Sequence, residues 1–177
     1  PVPLANDAGQ TSVYVEMIPR LLDQLAGTWS VDRDRLYTTG QSGGCMTSIA
    51  LGVTQPDLFA GTLCVAGQWN PAVVAPLADD NLWVIVSEDD AKAFPGMTAI
   101  MQVLEENGAK ITRGSLDARA APEAQAEAVA AIRADSIENF QAGDVIDTLS
   151  SGQCANPVPF GTAGAQGSLE GLVSAVG

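Results

Sequence analysis

One serine among glycines is the constellation in this sequence best suited to covalent chemistry. Gly40-Gln41-Ser42-Gly43-Gly44 follows the short run Leu36-Tyr37-Thr38-Thr39 and leads into an apolar stretch from Cys45 to Val53. A GxSxG motif set between a strand and a helix is the layout of a nucleophile elbow. A sharp turn lifts the serine hydroxyl above the sheet, and glycines stand where side chains would strike neighbouring backbone. A serine hydroxyl attacks a carbonyl only when a base takes its proton, and the oxyanion that forms needs donors already in place. Ser42 is the candidate nucleophile, the amide of Gly43 the candidate oxyanion donor, and Gln41 a candidate substrate contact.

The next group such chemistry needs is a carboxylate to orient a base. Leu82-Trp83-Val84-Ile85-Val86 reads as a strand covered on both faces of a parallel sheet. It runs out into Ser87-Glu88-Asp89-Asp90, of which Asp90 is the favoured acid and Glu88 and Asp89 its competitors. Three adjacent acids also suit a plain solvated loop. The aromatics Trp69 and Phe94 fall in loops at the carboxyl ends of strands, where open α/β sheets bind ligands. Trp69 is therefore a candidate substrate contact, and core packing serves either ring equally well.

Two flanking segments carry a resemblance. Val31-Asp-Arg-Asp-Arg-Leu-Tyr37 before the motif and Gln55-Pro-Asp-Leu-Phe-Ala60 after it resemble the elbow region of bacterial α/β-hydrolase esterases related to polyhydroxybutyrate depolymerases and feruloyl esterases. The likeness spans about residues 12–140 and is most specific over Val31 to Trp69 and Leu82 to Gly108. It implies a mostly parallel sheet flanked by helices, incomplete because the family's early strands would lie before the match begins. It also implies a serine carboxylic ester hydrolase acting on short-chain or aromatic esters without a cofactor or metal, with Asp90 as the triad acid. The family's second oxyanion donor comes from an early loop, so here it is absent or rebuilt from residues 1–10.

The sequence departs from that family at the base, because it contains no histidine. No Ser-His-Asp triad closes within the chain. The histidine belonged to a parent sequence truncated or replaced after about Phe140, or the protein is an inactive relative, or another group serves. Lys92, near the acid loop, and Lys110, beyond the next helix, are the lysines to consider, and a Ser-Lys pair needs a desolvated amine within reach of Ser42. The rival to the esterase is a noncatalytic hydrolase-like domain, or a piece of the fold that pairs with another chain through an open sheet edge, with a homo-oligomer as one form of that pairing.

The elements that must position these groups follow from periodicity. Val15, Ile18, Leu21, Leu22 and Leu25 recur at helical spacing and end at Ala26-Gly27, with Pro19 expected to kink the helix or begin its regular part. Strands are expected over Leu36 to Thr39 and Phe59 to Ala66, and a short one over residues 110–113. Further helices are expected over Cys45 to Val53, Met97 to Glu106 and Pro122 to Ala134. Beyond Gly143 the pattern fades. Residues 1–149 form one hydrolase-like domain on this reading, and 150–177 a Gly/Ser/Ala-rich tail of uncertain order.

With 177 residues, 46% of them hydrophobic, the chain suffices for one core. A net charge of −13 argues against nucleic acid and anionic lipid as partners. No run spans a membrane and no basic leader precedes an apolar core, so a soluble protein is expected, one compatible with secretion. The missing initiator Met suggests a processed product or fragment. Cys45, Cys64 and Cys154 show no metal-ligand spacing, and the first two read as buried thiols.

Overall fold

The computed structural model describes residues 8–137 and 144–151. Among these residues five parallel strands form one sheet in the order β1-β2-β3-β5-β4, flanked by helices. This is the α/β-hydrolase architecture. The strands are β1 (Tyr37–Gln41), β2 (Gly61–Val65), β3 (Leu82–Ser87), β4 (Lys110–Asp117) and β5 (Asp144–Ser151). The helices are α1 (Val13–Thr28), α2 (Gly43–Thr54), α3 (Ala93–Glu106) and α4 (Pro122–Ile137).

The middle of the sheet is its driest part, as the continuous apolar run of β3 requires. All of its residues except Trp83 are buried, because helices or loops cover both faces. Ile49 of α2, Val84 and Val86 of β3, Met97, Ile100 and Leu104 of α3, and Val145 of β5 form the heart of the core. Each side chain of this size contributes about 1.5–3 kcal/mol through removal from water. The β1–β2 ladder aligns Gly40 with Cys64 and Gln41 with Val65, so the carboxyl end of β1 lies beside that of β2.

Several boundaries differ from the sequence expectation, each for an identifiable reason. Helix α1 continues past Ala26-Gly27 to Thr28 and runs through Pro19. Helix α3 begins at Ala93 rather than Met97, because Pro95 occupies its first turn, where a missing N–H costs nothing. Strand β4 is eight residues long, its burial alternating as on a half-covered strand. The largest difference is β5, a strand absent from the sequence reading, which inserts between β3 and β4 and pairs with both. Residues 1–7, 138–143 and 152–177, with Phe140, Cys154 and nearly all of the expected tail, lie outside the described residues.

Candidate active site

The elbow forms where the motif predicts it. Gln41 ends β1, Gly43 opens α2, and Ser42 between them has φ 52 and ψ −114. A residue with a side chain avoids that backbone region unless its surroundings enforce it, and such strain gathers at functional sites. Here the enforcement is visible. The Ser42 amide donates to the Val65 carbonyl at 2.9 Å, and its carbonyl accepts from the Met46 amide at 3.1 Å. The turn is thus tied to β2 on one side and to the first turn of α2 on the other. A Cβ on Gly40 would overlap the backbone of Gly44, and one on Gly67 would overlap Cys45 and press on the Ser42 carbonyl. Both glycines are therefore required by close approach of backbone.

Ser42 and Gly43 are exposed, and nothing stands within 4 Å of where a Gly43 side chain would begin. The amides at the head of α2 have no carbonyl one turn back to bond, and the helix dipole adds partial positive charge there. Gly43 thus offers its N–H beside the hydroxyl, as an oxyanion donor must. Gln41 is also exposed, immediately before the turn. Beneath this surface Cys45 and Cys64 are fully buried, and the Cys64 Sγ points at the Cys45 carbonyl at 3.9 Å. A hydrogen bond with Cys45, followed by burial and the proximity of the second sulfur, pushes the Cys64 thiol well up, so it remains protonated packing material.

Asp90 arrives in the turn after β3, two strands from β1. At about 4.8 Å per strand the end of β3 stands ~10 Å from that of β1, so a third group has to bridge the two side chains. The Asp90 carboxylate is already engaged, since Oδ1 accepts from the amides of Lys92 at 3.0 Å and Ala93 at 2.8 Å and so caps α3. The turn is tightened further by the Asp90 amide donating to the Ser87 carbonyl and the Asp89 amide to the Ser87 hydroxyl. Glu88 and Asp89, the competing acids, are exposed.

The other expected residues fall into place unequally. Trp69 is 3% exposed and packs in the core, because the loop after β2 folds back beneath the surface; it is therefore not a solvent-facing contact. Phe94, half-buried, lines a cavity of about 340 Å³ along α3 instead. Lys92 follows the acid turn and is exposed. Lys110 begins β4 at the outer edge of the sheet and at the end opposite the elbow, so it cannot act on Ser42. Of the segment considered for a second oxyanion donor, Ala8 accepts from the Asn70 side chain at 3.2 Å, and Gly9 packs on Asn70 and Val73.

Sequence reasoning missed a second strained residue at this site. Ala66, at the end of β2 beside the elbow, has φ 45, and its amide donates to the Ile85 carbonyl at 2.9 Å. The following Gly67, forced close to Cys45, is the one sequence signal that could have drawn attention to it.

Comparison with known proteins fits this geometry. No family profile matches the chain. A protein named as an esterase, NocK, from Nocardia uniformis subsp. tsuyamanensis is 34% identical over 87 residues, 48% of this chain and 25% of its own length. Poly(3-hydroxyalkanoate) depolymerase C of Paucimonas lemoignei is 36% identical over 50 residues, 28% of this chain and 12% of its own. The crystal structure of a thermostable esterase superposes with a TM-score of 0.58 at 18% identity, over 82% of this chain and 30% of that one. The chain thus spans a quarter or less of these sequence relatives, and the structural likeness carries the fold alone. Together they support kinship with esterases of the α/β-hydrolase class. Among the described residues no helix is long and apolar enough to cross a membrane, and no cluster of three metal-binding side chains occurs.

Proposed function

We propose that the protein is a serine-dependent carboxylic ester hydrolase, acting on short-chain or aromatic esters. The observation that carries this reading is the strained backbone of Ser42, held between β1 and α2 with the Gly43 amide beside it. Ser42 Oγ attacks the ester carbonyl and displaces the alcohol, leaving an acyl-serine that water then cleaves. The amide of Gly43 and the head of α2 stabilise the oxyanion in both steps. Gln41 borders the acyl group, and Asp90 anchors the turn that faces the elbow.

These 177 residues hold no histidine, so within them the proton of Ser42 passes to water or to a base supplied from outside this stretch of chain. Turnover is then slow. Oxyanion stabilisation and binding alone retain roughly a thousandfold over water when a triad is broken. Activated esters with good leaving groups are the substrates that tolerate such a site.

A second reading, a hydrolase-like domain without catalysis, draws support from Asp90, whose Oδ1 is spent on capping α3. A fluorophosphonate probe and p-nitrophenyl acetate separate the two. The esterase reading expects the wild-type protein to label and hydrolyse above Ser42→Ala, and equal behaviour of the two proteins would leave the noncatalytic reading.

A further inference from the structure

A buried carboxylate lines a cavity that the ester chemistry leaves unused. Asp147, in the middle of β5, is 8% exposed. It contributes to a cavity of about 340 Å³ between α3 and the sheet, which neither Ser42 nor Asp90 lines. Register puts Val84 on one side of Asp147 and Arg113 on the other, so β3 offers it no polar side chain. The Arg113 guanidinium turns instead to Glu105 on α3, at 3.0 Å. Among the described residues no hydrogen bond or ion pair reaches the Asp147 carboxylate. Burial accordingly pushes this carboxyl above its ordinary value even with Arg113 opposing. A buried charge without a direct partner is costly, and one that lines a cavity calls for a partner from outside the fold.

The other walls define what that partner carries. Val86, Met97 and Met101 are buried, and Phe94 is half-buried, so most of the lining is apolar. A phenyl ring and two thioethers suit an aromatic body, through ring–ring contact and sulfur at a ring edge. Glu105 and Arg113, both about half exposed, neutralise one another and leave Asp147 as a net charge of one unit. One ammonium balances it, whereas an anion would meet an arginine already engaged. Among the described residues no three metal-binding side chains gather, so the donor set does not suit a divalent metal. The cavity is about ten times the ~30 Å³ share of one water and at the low end of small-molecule pockets, about 300–1,000 Å³.

We infer that this cavity is a binding site for a small arylalkylamine, whose ammonium pairs with Asp147 while its ring lies against Phe94, Met97 and Met101. The site is separate from the elbow, and binding there is independent of whether Ser42 is reactive.

Calorimetric titration with phenethylammonium at near-physiological salt tests this, with 2-phenylethanol as the same body without charge. The expected result is one amine per chain with Kd of about 100 µM, and the alcohol at least ~10-fold weaker for want of the charge-assisted contact. Asp147→Asn keeps the shape and is expected to bind amine and alcohol alike, with circular dichroism unchanged. Gln102→Lys, on the exposed face of α3 that lines the cavity, brings a tethered ammonium to the same carboxylate and is expected to weaken the amine at least ~5-fold. Gln24→Lys on exposed α1 makes the same change in net charge away from the cavity and is expected to leave binding unchanged. No saturable binding at millimolar amine, an alcohol that binds as tightly, an Asp147→Asn protein that still prefers the amine, or equal effects of the two lysines would each overturn the inference.

Discussion

Ser42→Gly, compared with Ser42→Ala, measures the strain on which the active-site reading rests. Ser42 is exposed and its side chain makes no capping hydrogen bond at the head of α2, so removing the hydroxyl alone changes stability little. Alanine retains a Cβ and so retains the cost of φ 52, about 1–3 kcal/mol for a residue held in a sparsely populated region. Glycine releases that strain but brings greater freedom to the unfolded chain, which offsets about 0.5–1 kcal/mol. The net expectation is that Ser42→Gly is more stable than Ser42→Ala by about 0.5–2 kcal/mol, or roughly 1–8 °C in midpoint for a chain of this size. Urea titrations followed by far-ultraviolet circular dichroism, at one fixed protein concentration, read the difference directly. Equal stability, or a less stable glycine variant, would refute the claim that the elbow stores strain. A stabilised Ser42→Gly that neither labels nor hydrolyses would show stability and reactivity opposed at a single residue.

Other expectations follow from the same geometry. Gly40→Ala drives a methyl into the Gly44 backbone and is expected to cost more than about 3 kcal/mol, seen as loss of the folded protein or a much lower urea midpoint. Asp90→Ala removes the cap on α3 at a cost of about 0.5–2 kcal/mol, while Asp90→Asn, which still accepts both amides, loses far less. Added imidazole should raise ester turnover by wild type beyond its rise with Ser42→Ala, since Ser42 is exposed to a free base; parallel rises would show that imidazole acts on the ester alone. Burial raises the Asp147 carboxyl above its ordinary value, with Arg113 opposing. A raised folded pKa means stability that is full below the unfolded value of 3.8 and falls as pH climbs through the folded one. Asp147→Asn should therefore flatten the decline in urea midpoint above pH ~4 and be relatively more stable at neutral pH.

What could be read from the letters was whatever repeats or is forced by backbone contact. The elbow was legible because Gly40 and Gly44 meet in space four residues apart, and β3 because a run of five apolar residues has few other uses. Strand β5 was not legible. Its sequence Asp-Val-Ile-Asp-Thr-Leu-Ser-Ser mixes buried Val145 and Ile146 with buried Asp147 and Thr148, and neither strict alternation nor a continuous apolar run survives. Polar residues are tolerated there because they have partners in adjacent strands: Thr148 Oγ1 accepts from the Trp83 indole at 3.1 Å, and Asp147 lies in register with Arg113. The role of Asp90 was half visible, because a carboxylate in that turn suits a triad and a helix cap alike, and only coordinates reveal two amides converging on it. Trp69 was open to two readings because its neighbours read as loop, and of these the buried ring is the one seen, since a loop residue can still fold inward.

The placement of β5 also bears on how the molecule comes to exist. The inner edge of β3 waits for a partner that begins about sixty residues later, and β4, made in between, has no neighbour until that same segment emerges. At ribosomal speeds of ~5–20 residues per second the apolar centre stands open for several seconds. Strand β5 thus acts as a keystone, and variants that delay its insertion should appear first as insoluble product at the bench, before any loss of stability in the protein that does fold.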